Sequence, residues 1–303
     1  MATRRINFYD HVVLDRAGVF RRDEAWIAAR LADEATRFVP VWRSLNLFIE
    51  EIPAPVFLRR ADLRELPGDV VLLGAGDRDG RAVFGVDLSP LEAPLEALRL
   101  ERPAQFADLR RFGPLIDPAE GSLLAYARGM FYWHSRHRFC GVCGHRTESV
   151  EAGHVRRCTN EACGTNHFPR TDPAVIMLVT HGDRCLLGRQ RQWPTGMHST
   201  LAGFVEPGES LERAVAREVK EETGIDVEDI AYHSSQPWPF PSSLMLGFTA
   251  RAVTTELIVD PDELETAIWV ERDWILRHPD DDEFRLPRRD SIARRLIEDW
   301  LGR

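Results

Sequence analysis

The stretch Gly203-Phe-Val-Glu-Pro-Gly-Glu209-Ser-Leu-Glu-Arg-Ala-Val-Ala-Arg217-Glu-Val-Lys-Glu-Glu222-Thr-Gly-Ile225 reads as a loop, a helix and a stop. Pro207-Gly208 makes the turn, the Ser210 hydroxyl can cap the first free amides, and Gly224 stands where a left-handed C-cap belongs. A helix is therefore predicted over about 211–222. On it Glu218 and Glu222 lie four apart and Glu221 lies three from Glu218, so the three carboxylates share one neighbourhood. Like charges crowded in this way repel, and a compensating cation is expected; all-oxygen donors suit Mg²⁺ or Mn²⁺. Arg213 and Arg217 flank the cluster, and the spacing lets Glu209 reach Arg213 at i,i+4. Without a cation the same residues would form a solvated helix laced with salt bridges.

Upstream, Pro169-Arg-Thr-Asp-Pro173 leads into Ala174-Val-Ile-Met-Leu-Val179, a continuous apolar run closed by the turn His181-Gly-Asp183 and followed by Arg184-Cys-Leu-Leu187. This predicts a hairpin in a sheet covered on both faces. Further strands are predicted at Leu244–Val253 and Ala267–Val270, and a closing helix from Asp290 to Leu301 places Ile292, Ala293, Leu296, Ile297 and Trp300 on one face. Between them Ser235-Gln-Pro-Trp-Pro-Phe-Pro-Ser-Ser243 is stiffened by alternating prolines that remove backbone donors; it cannot be a central strand and suits a rigid wall for a flat ring. Asp280–Glu283 reads as a solvated loop.

Four of the five cysteines, Cys140, Cys143, Cys158 and Cys163, fall in one window of 24 residues, in two knuckles separated by fourteen. That layout fits tetrahedral Zn²⁺ with no open position, hence a structural site. The second knuckle is the wider, which leaves His145 or His167 as alternatives to Cys163. Cys185, alone in an apolar run, reads as a core residue. Residues 1–136 show short apolar runs (Val70–Leu73, Arg81–Val86) broken by turns such as Gly74–Asp77, and end in a helix from about Ala119 to His134; an α+β domain is expected. The sequence shows neither an internal repeat nor a low-complexity tract.

The 303 residues allow two or three domains, and 44% hydrophobic with 29% charged residues is an ordinary globular balance. Arg4 and Arg5 are followed by no apolar signal region and no stretch is long enough to span a membrane, so a cytoplasmic location is expected. A formal charge of −9 argues against a protein whose main task is gripping nucleic-acid backbone, unless a local basic groove exists.

The 203–225 stretch resembles the Nudix box, G-x5-E-x7-R-E-U-x-E-E-x-G-U with U aliphatic: Gly203, Glu209, Arg217, Glu218, Val219, Glu221, Glu222, Gly224 and Ile225 match every specified position. Residues 235–243 resemble the S-Q-P-W-P-F-P-x-S signature of the family's NADH pyrophosphatase branch, again at every specified position. The resemblance implies an α+β multidomain chain: an N-terminal α+β domain (1–136), a four-cysteine zinc ribbon (137–169) and an α/β/α Nudix sandwich (170–303). It implies hydrolysis of the pyrophosphate of NADH or NAD⁺ to nicotinamide mononucleotide and AMP, with removal of an NAD cap from RNA 5′ ends as the alternative.

By the same resemblance, Glu218, Glu222, Glu263 and the Ala202 carbonyl would hold Mg²⁺ or Mn²⁺, with Glu265 a rival for Glu263. Glu221 would be a ligand or the base. Phe168 and Phe204 look like the pair that sandwiches nicotinamide, one from each subunit of a homodimer; the family usually has tyrosine where this chain has Phe168. Gln236, Trp238, Phe240, Ser243 and Ala293 would line the substrate pocket. A dinucleotide sensor with a zinc ribbon, binding without cutting, is the rival from another class, and the intact carboxylates argue against it.

Overall fold

The computed structural model describes residues 5–11, 14–76, 80–278 and 280–302. Arg4 and Asp77, which entered the reading of the amino terminus and of the first turn-rich segment, lie outside them. The chain forms two compact units: one holds Met1–Phe8, Asp172–Trp238 and Ser243–Arg303, the other Tyr9–Thr171 with Pro239–Ser242. They are called here the C-terminal and N-terminal units. No helix among the described residues is long and apolar enough to cross a membrane.

The N-terminal unit contains α1 (Glu24–Ala32), β1 (Arg37–Trp42), β2 (Leu45–Ile49), β3 (Val70–Ala75), β4 (Ala82–Asp87), β5 (Ala104–Ala107), the single turn α2 (Leu109–Phe112) and α3 (Pro118–Arg136). Asp117 caps α3 by accepting from the Ala119 and Glu120 amides, and Pro118 occupies the first turn, where its missing N–H costs nothing. The sheet order is β3-β4-β1-β2-β5, packed around Phe38, Leu47, Leu72 and Phe84. Three short strands follow, β6 (Thr147–Val150), β7 (Val155–Cys158) and β8 (Asn166–His167), in that spatial order.

The C-terminal unit contains β9 (Asp172–His181), β10 (Arg184–Arg189), β11 (Leu201–Phe204), α4 (Leu211–Thr223), β12 (Val227–Trp238), β13 (Ser243–Ala252), β14 (Thr266–Glu271), α5 (Arg272–Arg277) and α6 (Ile292–Leu301). Along β9 the side chains alternate between two cores. Val175, Met177 and Val179 pack with Val215 and Val219 of α4. Ile176 and Leu178 pack with Leu296 and Ile297 of α6. A sheet buried on both faces needs no polar face, which is why 174–179 reads as unbroken apolar sequence. Ser210 caps α4 through the Arg213 amide, and Gly224 ends it at φ 72°, the left-handed conformation expected there. The amino-terminal segment is tied to this unit: Asn7 Nδ2 donates to Ser235 O at 2.6 Å and Arg295 Nη1 donates to Asn7 Oδ1 at 3.1 Å.

Two expectations change. The proline segment is not wholly a loop: Gln236, Pro237 and Trp238 continue β12 and pair with Met245, Leu244 and Ser243. β12 is an edge strand, so the donor missing at Pro237 breaks no central ladder. The chain also carries a repeat that its sequence hides. The C-terminal sheet runs β12-β13-β9-β10-β14, and its successive pairings are antiparallel, parallel, antiparallel and antiparallel. The N-terminal sheet has the same order and the same senses. Topology depends on where apolar strands fall and not on residue identity, so two such sheets can share connectivity without legible sequence similarity.

Within this repeat β11, which pairs antiparallel with the start of β9, has its counterpart in Leu58, bridged antiparallel to Phe38 at the start of β1. The α4 position is reduced to one 3₁₀ turn at Arg60–Asp62.

Candidate active site

Arg217 organises the box. Its Nη2 and Nε donate to the Glu209 carboxylate at 2.6 and 3.1 Å. Nη1 donates to Glu218 Oε1 at 2.9 Å and Glu221 Oε2 at 3.0 Å, and Nη2 also reaches the Phe204 carbonyl at 2.9 Å. The planar guanidinium thus locks the loop before the helix, the helix itself and the end of β11 into one arrangement. The expected Glu209–Arg213 pair gives way to this one, because Glu209 precedes the Ser210 cap and helical i,i+4 spacing does not apply to it. The guanidinium holds the Glu209 carboxyl below the usual range, the direct hydrogen bond being the main cause.

Gly203 is fixed by contact. A Cβ there would lie 1.8 Å from Glu218 Cδ, so the β11 backbone and this carboxylate touch only because the residue is glycine. Glu222 is 4% exposed, and its Oε2 has no hydrogen-bond partner. Burial, then Glu218, Glu263 and Glu221, push its carboxyl up to about 8. Glu218 is raised as well, chiefly by burial and against the pull of Arg217. An orphaned buried carboxylate oxygen facing other acidic groups is costly unless a cation or a proton completes it. The donor set, all oxygen, fits a divalent ion. Glu263 acts on both Glu218 and Glu222, whereas its rival Glu265 is held by Arg189 Nε at 2.9 Å.

Glu222 and Ala202 line a cleft of about 360 Å³ together with Trp238, Met245 and Ala293. That size holds a small ligand. Trp193 and Arg288 also line it and were not foreseen, since no motif surrounds them. Gln236 is fully buried and off the cleft wall; its Nε2 donates to the Asp290 carbonyl at 2.8 Å, just before the residues that begin α6. Ser243 pairs with Trp238 and is likewise not a lining residue. Phe204 and Phe168 are 60% and 66% exposed. Phe240 belongs to the N-terminal unit, where the Arg128 guanidinium lies 4.7 Å from its ring centre and Arg128 Nη1 donates to the Pro239 carbonyl at 3.3 Å. Asp280 and Asp281 are less free than a solvated loop implies: Asp280 pairs with Arg294 at 3.1 Å and Asp281 accepts from the Glu283 and Phe284 amides.

Cys140, Cys143, Cys158 and Cys163 bring their sulfurs within 4.8 Å of one another. The Cys143–Cys158 and Cys140–Cys163 separations, 3.4 and 3.9 Å, are far beyond a disulfide bond. Cys163 belongs to the group, and the wide knuckle is closed by its amide donating to Asn160 O at 2.8 Å. His167 stands beside the cluster, Nε2 to Cys140 Sγ at 3.3 Å, while His145 contacts the Cys143 carbonyl. Neither replaces a cysteine. This is a structural Zn²⁺ site. Cys185 is fully buried and its thiol is pushed up to about 12 by that burial, the state of an inert core residue.

The high value at Glu222 predicts a proton-coupled metal site. In the metal-free protein the native carboxyl holds a proton that the unfolded chain, ordinary value 4.5, has lost. Native stability without metal should therefore fall as pH rises from about 4.5 to about 8 and level off above, since over that window the folded state binds the extra proton. A divalent ion held by Glu222 would have to displace that proton near neutral pH, in which case apparent Mn²⁺ affinity should rise up to about tenfold per pH unit below 8. Calorimetry in buffers of different ionisation enthalpy measures the release; an affinity independent of pH between about 6 and 8 would contradict it.

Three family models match the chain: the NADH pyrophosphatase-like rudimentary NUDIX domain at residues 35–133, the NADH pyrophosphatase zinc ribbon domain at 135–168 and the NUDIX domain at 170–290. The carboxylate helix packed on a two-faced sheet, with a zinc ribbon, defines a metal-dependent hydrolase of the Nudix class. The similarity extends to whole proteins. NAD-capped RNA hydrolase NUDT12 of Macaca fascicularis is 35% identical over 344 residues, covering 97% of this chain and 73% of that one. NAD-capped RNA hydrolase NudC of Stutzerimonas stutzeri (strain A1501) is 43% identical over 231 residues, covering 76% and 77%. The chain belongs to the NADH pyrophosphatase branch of the Nudix hydrolase family.

Proposed function

We propose that the protein hydrolyses the pyrophosphate bond of NADH and NAD⁺ to nicotinamide mononucleotide and AMP, using Mg²⁺ or Mn²⁺. The observation that carries this is the buried, half-unpartnered carboxylate of Glu222 at the wall of a cleft that also holds Trp238 and the Ala202 backbone. A divalent ion at such a place neutralises phosphate charge and acidifies water. Glu218, Glu222, Glu263 and the Ala202 carbonyl would hold it. Water attacks one phosphorus, the bridging P–O bond breaks, and the other phosphate leaves with the bridging oxygen. Glu221, exposed and paired with Arg217, would serve as a further ligand or as the base that accepts the proton lost by the water. Trp238 offers a flat apolar surface to a ring.

Exposure of Phe168 and Phe204 supports their assignment to ring stacking, each needing a partner surface that a homodimer would supply. The division at residues 136 and 169, and a cytoplasmic location suited to reduced thiols, are part of the same reading.

Both relatives described above bear the name NAD-capped RNA hydrolase, which favours a second substrate for the same bond cleavage: RNA with a 5′ NAD cap. Chromatography of the products from NADH, NAD-capped RNA and ADP-ribose at equal concentration separates the readings. Nicotinamide mononucleotide and AMP from NADH, or 5′-monophosphate RNA from the capped chain, is the expected outcome. Bound but intact NADH, or preferential cleavage of ADP-ribose, would overturn it.

A further inference from the structure

The N-terminal unit keeps the place of an active site and inverts its charge. In the C-terminal unit the carboxylates gather where β11 meets the start of β9, with Glu263 arriving from the run before β14. At the counterpart place, where Leu58 meets the start of β1, a groove of about 800 Å³ opens, more than twice the volume of the catalytic-side cleft. Arg59 follows Leu58, Arg99 and Arg102 come from the run before β5, Arg37 begins β1 and Arg81 immediately precedes β4. All five arginines are exposed, and three acidic residues, Glu34, Asp62 and Glu101, share the lining.

The arginines of the lining outnumber its carboxylates five to three. Asp62 accepts the Arg59 amide at 2.7 Å, and Arg102 pairs with Glu51 only at 3.5 Å in full solvent. Among the described residues no carboxylate lies within ion-pair distance of the Arg59 or Arg99 guanidinium. Arg59 and Arg99 thus present two exposed guanidinia without a carboxylate partner to one groove, and their planar forks match phosphate oxygens.

We propose that this groove binds the phosphate groups of a nucleotide-class ligand, either a free nucleotide or an RNA chain. It binds without cutting, because the box helix is reduced there to a single turn and brings no carboxylate cluster. The inference stands whether or not NADH is the substrate.

The test uses the full, zinc-loaded chain at low salt without added divalent metal. The probes are a fluorescein-labelled ten-nucleotide RNA lacking any cap, read by anisotropy, and AMP, read by protection of Arg59 and Arg99 from phenylglyoxal. Arg59→Glu and Arg99→Glu, made singly, should each weaken RNA binding about tenfold or more and flatten its salt dependence, while NADH turnover stays at the wild-type level. Protection by AMP alone would identify a free nucleotide as the ligand; protection by RNA alone would identify the chain. Protection by neither probe, or variants that bind as the wild type does, would overturn the proposal. The footprint needs no variant, so a misfolded substitution cannot hide the answer.

Discussion

Glu222→Gln is expected to lower NADH turnover by about three orders of magnitude at saturating Mn²⁺, the scale on which losing a single preorganised charge-stabilising group acts. The substitution preserves shape and burial and removes only the capacity to carry charge. Its effect on folding should be small or favourable. The native carboxyl is neutral below about 8 because it is buried among Glu218, Glu263 and Glu221, so a neutral amide replaces a neutral acid at pH 7. From about pH 4.5 upward the unfolded wild type gains by ionising this carboxyl and the unfolded amide does not, so the metal-free variant should melt higher than the wild type by a margin that grows up to about pH 8 and then levels off. Activity lost with stability kept is the signature of a ligand; activity and stability lost together would mark a packing residue. Full turnover in the variant would remove Glu222 from the chemistry.

Removing zinc should have the largest effect on folding. The segment from β6 to β8 has three short strands and buries little apolar surface, with Val155 its most buried hydrophobic residue apart from the cysteines. Such a piece depends on its metal, and structural zinc supplies apparent free energies of about 10–16 kcal/mol in small zinc-dependent folds at neutral pH. Titrating the thiols with an organomercurial should release about one equivalent of zinc, read with a chromogenic chelator, and the ribbon amides should lose hydrogen-exchange protection in step. Cys163→Ser should do the same as Cys158→Ser, since both sulfurs belong to one cluster. Unchanged protection in zinc-free protein would contradict the structural role.

What the sequence made legible follows signal strength. The two-faced strand at 174–179, the capped helix after Ser210 and the closing helix were readable because each combines an unambiguous apolar pattern with a terminal marker. β12 was not, since Glu228, Asp229 and Pro237 interrupt it, its register slips between residues 228 and 231, and an edge strand has one solvated side. β11 is four residues containing Ala202 and Gly203, too short and too small to show a period. The box residues were visible as a set, but the bonding inside the set was not: Arg217 is the hub, and the pairing of Glu209 depends on a loop whose path no spacing rule describes. Gln236 illustrates the limit for pocket residues. It sits in a recognisable signature, yet its partner is Asp290, 54 positions away, and it braces the wall instead of forming it. The repeated topology lay deeper still, because strand order is a long-range property.

The central claim is that Glu218, Glu222 and Glu263 gather divalent ions against a pyrophosphate. Anomalous diffraction from a crystal soaked in Mn²⁺ and AMP tests it most directly. A manganese peak within coordination distance of the Glu222 carboxylate and the Ala202 carbonyl is the predicted result; an ordered nucleotide in the cleft with no manganese beside these groups would contradict it.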